Sequence, residues 1–124
     1  MSYFNTAPGS GSLRNTNVNM EYHLKQCEAA FGYPMWPSSS TVNKVYGGSE
    51  PNADHVFYSD FSDDPWQRAS VDYSVSDTQP YFLSKCDDCG HCKDLHAPSD
   101  ADPEPIKESR KEFEKYLAEW LSDA

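Results

Sequence analysis

The sequence predicts an α/β protein, and within that class the closing section of an α/β sheet. An apolar, strand-like run from His55 to Ser59 leads into an acidic turn at Asp64-Pro65-Trp66. A second run, Gln79 to Ser84, leads into a small-residue turn carrying one histidine, Asp88-Cys89-Gly90-His91-Cys92. A long amphipathic helix then closes the chain. Strand, acid turn, strand, histidine turn, helix is the order in which such a sheet delivers an acid and then a base from its strand ends. Two strands with three helices could hardly stand alone as a sheet.

Each element has a local reason. Residues 1–18 read as an irregular lead, broken by Pro8-Gly9-Ser10-Gly11-Ser12. Asn19 can cap a helix through Met20, Leu24, Cys27 and Phe31, whose spacing places them on one face. Gly32 and Pro34 stop it. Tyr33 to Pro37 is an aromatic and proline patch. Val42 to Tyr46 is a short helix or strand, ended by Gly47-Gly48. In the second strand run Pro80 suits only a first or edge position, because it lacks the ladder donor. Between the two strand runs, Trp66 to Ser76 holds a helical turn or a loop. The last helix has Asp102 as cap and Pro103 at its first position. Ile106, Phe113, Leu117, Trp120 and Leu121 form one stripe, with Glu108, Lys111, Glu112, Lys115 and Glu119 on the other side.

The totals bound the function. A chain of 124 residues allows one domain at most, and 37% hydrophobic residues with 14% aromatic ones supply a modest core. A formal charge of -10 repels phosphate backbones and anionic lipid, so neither nucleic acid nor a membrane surface is an expected partner. No apolar stretch approaches the ~20 residues of a membrane span. Met1 to Thr6 lacks the basic and apolar regions of a signal peptide.

Three acids, Asp60, Asp63 and Asp64, lie close together. They suit a solvated acidic loop, or they include one acid held for catalysis. Asp64 is the candidate for the second role, because Pro65 fixes the next backbone angle and Trp66 supplies an apolar wall. A carboxylate that orients a catalytic imidazole must be rigid and shielded. Of the histidines, His23 sits among polar helix neighbours and His55 opens a strand. His91 follows a strand end downstream of an acid-bearing one, which makes it the candidate base. Cys86, Cys89, Cys92 and His96 offer a rival reading as a small zinc-binding adaptor. Their alternative is one local disulfide with free thiols, or pairing with partners elsewhere. No Gly-x-Ser-x-Gly turn occurs, so an acid and a base stand without a nucleophile to activate.

These residues resemble a known family. Tyr3-Phe4-Asn5-Thr6, the helix from Tyr22 through Cys27 to Phe31-Gly32, Tyr46-Gly47-Gly48 with Pro51-Asn52-Ala53, His55 to Trp66, Gly90-His91-Cys92-Lys93-Asp94-Leu95 and Pro105 to Leu121 follow in order. Together they are similar to the C-terminal part of the serine exopeptidases that include lysosomal Pro-X carboxypeptidase, dipeptidyl peptidase II and thymus-specific serine protease. The resemblance implies an α/β-hydrolase with a helical cap inserted late in its sheet. Residues 1–50 would be the end of that cap, and residues 51–124 the C-terminal part of the hydrolase domain. It implies Asp64 as triad acid, His91 as triad base, and Trp66 lining the pocket on the proline side of the scissile bond. No metal or cofactor is implied. The implied partner is a peptide substrate with proline near the scissile bond, and the implied location is lysosomal or extracellular.

The departures are specific. Asp60-Phe61 stands where the family has Asn-Gly, Cys92 replaces a second histidine, and Cys86 and Cys89 have no family counterpart. The family's nucleophile, oxyanion donors and first strands would precede residue 1. The chain therefore reads as a fragment that is inactive alone, or as a binding remnant that keeps the pocket without turnover.

Overall fold

The computed structural model describes residues 6, 7, 9, 11 and 13–122; Tyr3 to Asn5 of the first family-like segment, and Pro8, Ser10 and Ser12 of the lead, lie outside them. The chain divides into two compact units, Met1–Val45 and Tyr46–Ala124.

The first unit is built around helix α1, Met20–Phe31. Asn19 caps it as expected: its side-chain oxygen accepts the Tyr22 N–H at 3.0 Å. Gly32 ends it at φ 78°, a left-handed conformation that glycine adopts without steric cost, and its N–H reaches the Glu28 carbonyl at 2.8 Å. The segment that suited either a helix or a strand is helix α2, Ser39–Tyr46. The aromatic and proline patch joins the two helices. Phe31, Met35, Trp36, Pro37 and Val42 line an apolar groove with Cys27, which is a free thiol.

The second unit contains two parallel strands, β1 (Tyr58–Phe61) and β2 (Tyr81–Ser84), with Tyr58 opposite Tyr81 and Phe61 opposite Ser84. Parallel neighbours need a crossover, and here a 3-10 turn at Pro65–Ala69 followed by loop provides it. β1 starts later than the apolar run predicts. His55 takes φ 55°, which no ladder accommodates, and the Phe57 ring packs on Phe113 and Tyr116. Pro80 sits just before β2, where its missing N–H costs nothing and its carbonyl still accepts the Tyr58 N–H at 2.9 Å.

Helix α3, Glu104–Ser122, covers one face of the strands. Its stripe is only partly covered: Ile106 is fully buried, whereas Phe113, Leu117 and Leu121 remain exposed among the described residues. Phe61, Ile106 and Cys89 form the core, with Cys86 packed against it. Buried Ser84 ties the end of β2 to the start of α3 by donating to the Pro105 carbonyl at 3.1 Å. Asp102 is not the helix cap. Its carboxylate is taken by the Ser99 N–H and the Arg110 guanidinium, and the Pro103 carbonyl opens the helix instead.

A folded piece of α/β sheet with a covering helix is the architecture these residues build. No helix among the described residues is long and apolar enough to cross a membrane.

Candidate active site

The acid turn begins as β1 ends. The Asp64 N–H bonds back to the Phe61 carbonyl at 3.0 Å, so the chain reverses tightly and brings the Asp64 side chain inward. Asp64 is 8% exposed. It caps the 3-10 turn that Pro65 starts, its Oδ1 accepting the Trp66 N–H at 2.8 Å. A residue before proline is biased to extended backbone, which suits a cap. Its second oxygen, Oδ2, lies 2.7 Å from His91 Nδ1.

The three clustered acids thus have different surroundings. Exposed Asp63 accepts the Asp88 N–H at 2.9 Å. Ser62 Oγ donates to the Cys86 carbonyl and accepts the Cys86 N–H, each at 3.1 Å. These bonds zip the acid turn to the segment that leads into the histidine. They were not predicted from sequence, although Ser-Asp-Asp is a run that commonly bonds neighbouring main chain.

Asp60 is buried on β1, and its carboxylate accepts from the Ser70 hydroxyl. Burial raises its pKa, hydrogen bonds from Ser70 and Tyr81 pull it back, and the nearby Asp64 charge pushes it up again. A carboxyl raised above its unfolded value contributes its full stability at acid pH and loses it as pH rises through the folded value. Asp60→Asn keeps an acceptor for Ser70 and removes the buried charge. It is expected to raise the melting temperature by a few degrees at pH 7, with the gain vanishing towards pH 3. Thermal melts of both chains across that range check this.

His91 stands at the other strand end, between Gly90 and Cys92. Cys92 is in the left-handed region at φ 59°, and a 3-10 turn at Lys93–Leu95 follows. The His91 side chain is 59% exposed, against 5% for that of Asp64. A carboxylate on Nδ1 selects the tautomer protonated there and leaves Nε2 as an acceptor, the arrangement a general base needs. Trp66, the third predicted residue, is 42% exposed. With Asp64, His91, Cys92 and Leu95 it lines a cleft of about 290 Å³. The sequence-predicted acid, base and aromatic wall therefore meet at one rim of the two-stranded sheet.

Cys86 and Cys89 form a disulfide, and Cys92 is a free thiol. Bonded to each other, two of the four sulfur and nitrogen donors of the zinc-adaptor reading are not the thiolates that zinc requires, so that reading is not favoured.

Comparison with known proteins places the chain in a family. The family model described as serine carboxypeptidase S28 matches residues 1–113. The chain belongs to this family. Among its curated S28-like relatives, a probable serine protease, EDA2 of Arabidopsis thaliana, is 27% identical over 99% of the chain and 27% of its own length. The thymus-specific serine protease of Homo sapiens is 27% identical over 79% of the chain and 19% of its own length. The lysosomal Pro-X carboxypeptidase of Bos taurus is 26% identical over 85% of the chain and 20% of its own length. The chain spans about a quarter or less of the length of these S28 relatives.

Proposed function

We propose that Asp64 and His91 are the acid and base of a serine peptidase triad whose nucleophile comes from sequence beyond these 124 residues. The reading is carried by one observation: a buried carboxylate and an exposed imidazole, at successive strand ends, bonded through Nδ1 at 2.7 Å. Family membership supports it.

The chemistry is acyl transfer. Nε2 of His91 takes the proton of a serine hydroxyl as it attacks the peptide carbonyl, and returns it to the leaving amine. Asp64 fixes the ring and stabilises the imidazolium that forms between the two steps. Trp66 offers a flat apolar wall at the cleft, suited to a proline ring. A peptide with proline next to the scissile bond is the proposed substrate, supported by the name of the bovine relative. Residues 1–50 are proposed as the end of a helical cap, and 51–124 as the C-terminal part of an α/β-hydrolase domain. A lysosomal location is proposed on the same relative's name, with an extracellular one as the alternative that the family resemblance implies.

The 124-residue chain alone is expected to hydrolyse no peptide, for want of a nucleophile. The test joins it behind the upstream part of a curated relative, in place of that protein's own closing segment. The chimera is expected to cleave proline-containing peptides, and His91→Ala to abolish cleavage. Cleavage that persists in His91→Ala, or that the unjoined chain performs, overturns the proposal.

A further inference from the structure

Arg110 reaches from α3 to the back of the turn that follows His91. Its Nε donates to the Asp94 carbonyl at 3.3 Å and its Nη2 to the His96 carbonyl at 3.0 Å, with the Lys93 carbonyl at the longer distance of 3.5 Å. Nη1 donates to the Asp102 carboxylate. That bond, helped by the Ser99 N–H, holds the Asp102 carboxyl below the usual range. The side chains of Arg110 and Asp102 are only 16% and 15% exposed.

The carbonyls served are those of the first two residues of the 3-10 turn and of His96, which follows it. A planar fork with five N–H donors can reach several of them and a carboxylate at once; a lysine cannot. On its other side the same turn is tied to β1, where Ser59 Oγ donates to Asp94 Oδ2 at 2.7 Å. The turn opens at Cys92, a non-glycine residue at φ 59°. Such a conformation costs on the order of 1 kcal/mol or more and persists only where its surroundings impose it. Cys92 is the next residue after His91, so whatever holds this turn also aims the imidazole.

We propose that Arg110 is a positioning residue for His91: by clamping the carbonyls of residues 93, 94 and 96 it fixes the turn that presents the imidazole to Asp64. The role rests on the reading of His91 as base. Arg110 itself touches no reacting atom.

The test uses the chimera described above, with ¹⁵N-labelled histidine, and follows the His91 Nδ1–H by NMR. Asp64→Ala sets the value for an imidazole without its carboxylate. The wild-type proton is expected at low field, exchanging with water about ten-fold more slowly than in Asp64→Ala. Arg110→Lys keeps the charge and the helix but not the fork. It is expected to lose most of that protection while circular dichroism still reports a folded chain. Asp102→Asn, which leaves the guanidinium and removes its ionised partner, is expected to lose part of it. Full protection in a folded Arg110→Lys overturns the positioning role and leaves the Asp64–His91 pair standing. Absence of protection in the wild type overturns the pair, and the positioning role with it. Should Arg110→Lys unfold, Asp102→Asn decides, and full protection there overturns the proposal.

Discussion

Asp64→Asn is expected to lower kcat on the order of 10⁴-fold in the chimera that supplies a nucleophile, with KM little changed. The size of the effect follows from the separate duties of the two carboxylate oxygens. Oδ1 accepts from the Trp66 N–H at 2.8 Å, and Oδ2 faces His91 Nδ1 at 2.7 Å. Asparagine has the same shape but only one acceptor. If that acceptor keeps the Trp66 N–H, the amide NH₂ faces Nδ1. The imidazole must then offer a lone pair at Nδ1 and carry its proton on Nε2. That is the nitrogen which has to accept the serine proton, so the base is blocked without being moved. Asp63→Asn is the matched control. Its carboxylate accepts the Asp88 N–H and approaches no ring nitrogen, so a loss of less than about ten-fold is expected there. Steady-state kinetics on the two variants distinguish the cases. An Asp64→Asn chimera within ten-fold of its parent would show that this carboxylate does not select the tautomer.

How much of this was legible beforehand depended on how local the cause was. Helix α1 could be read to its ends because Asn19 and Gly32 act on neighbours three and four residues away. Asp64 and His91, the proposed acid and base, could be singled out because strand ends are where a sheet presents side chains. Burial of Asp60 could not be read. Its partner Ser70 lies across a turn, and a carboxylate in a run of acids looks like solvated loop. Asp102 has the composition of a cap, but Arg110 competes for its carboxylate. Spacing alone could not decide between a disulfide and a metal at Cys86 and Cys89; the fold brings these two together and leaves Cys92 apart. Arg110 itself carried no signal of its task, because its partners are main-chain carbonyls 14 to 17 residues earlier, on a turn whose shape no pattern announces.

Phe61→Ala is expected to remove most of the stability of the second unit. Phe61 is 2% exposed and packs with Cys89 and Ile106 in a small core. Truncating a buried phenylalanine costs about 3–5 kcal/mol, lost transfer energy and residual cavity together. A unit of about 80 residues holds roughly 4–12 kcal/mol in all. The substitution also acts on the site through the chain. Phe61 is the last residue of β1, and its carbonyl accepts the Asp64 N–H that closes the acid turn. Urea titration read by circular dichroism gives the stability. The His91 Nδ1–H signal, read on the same samples, is expected to disappear along the same curve, because the Asp64 turn closes on the Phe61 carbonyl at the end of that strand. Leu121→Ala, at a position 68% exposed on α3, removes a comparable apolar side chain and is expected to shift stability by no more than about 0.5 kcal/mol. Equal costs at the two positions would mean that the core does not rest on the end of β1. The Asp64 turn would then owe its shape to the Ser62–Cys86 and Asp63–Asp88 bonds instead.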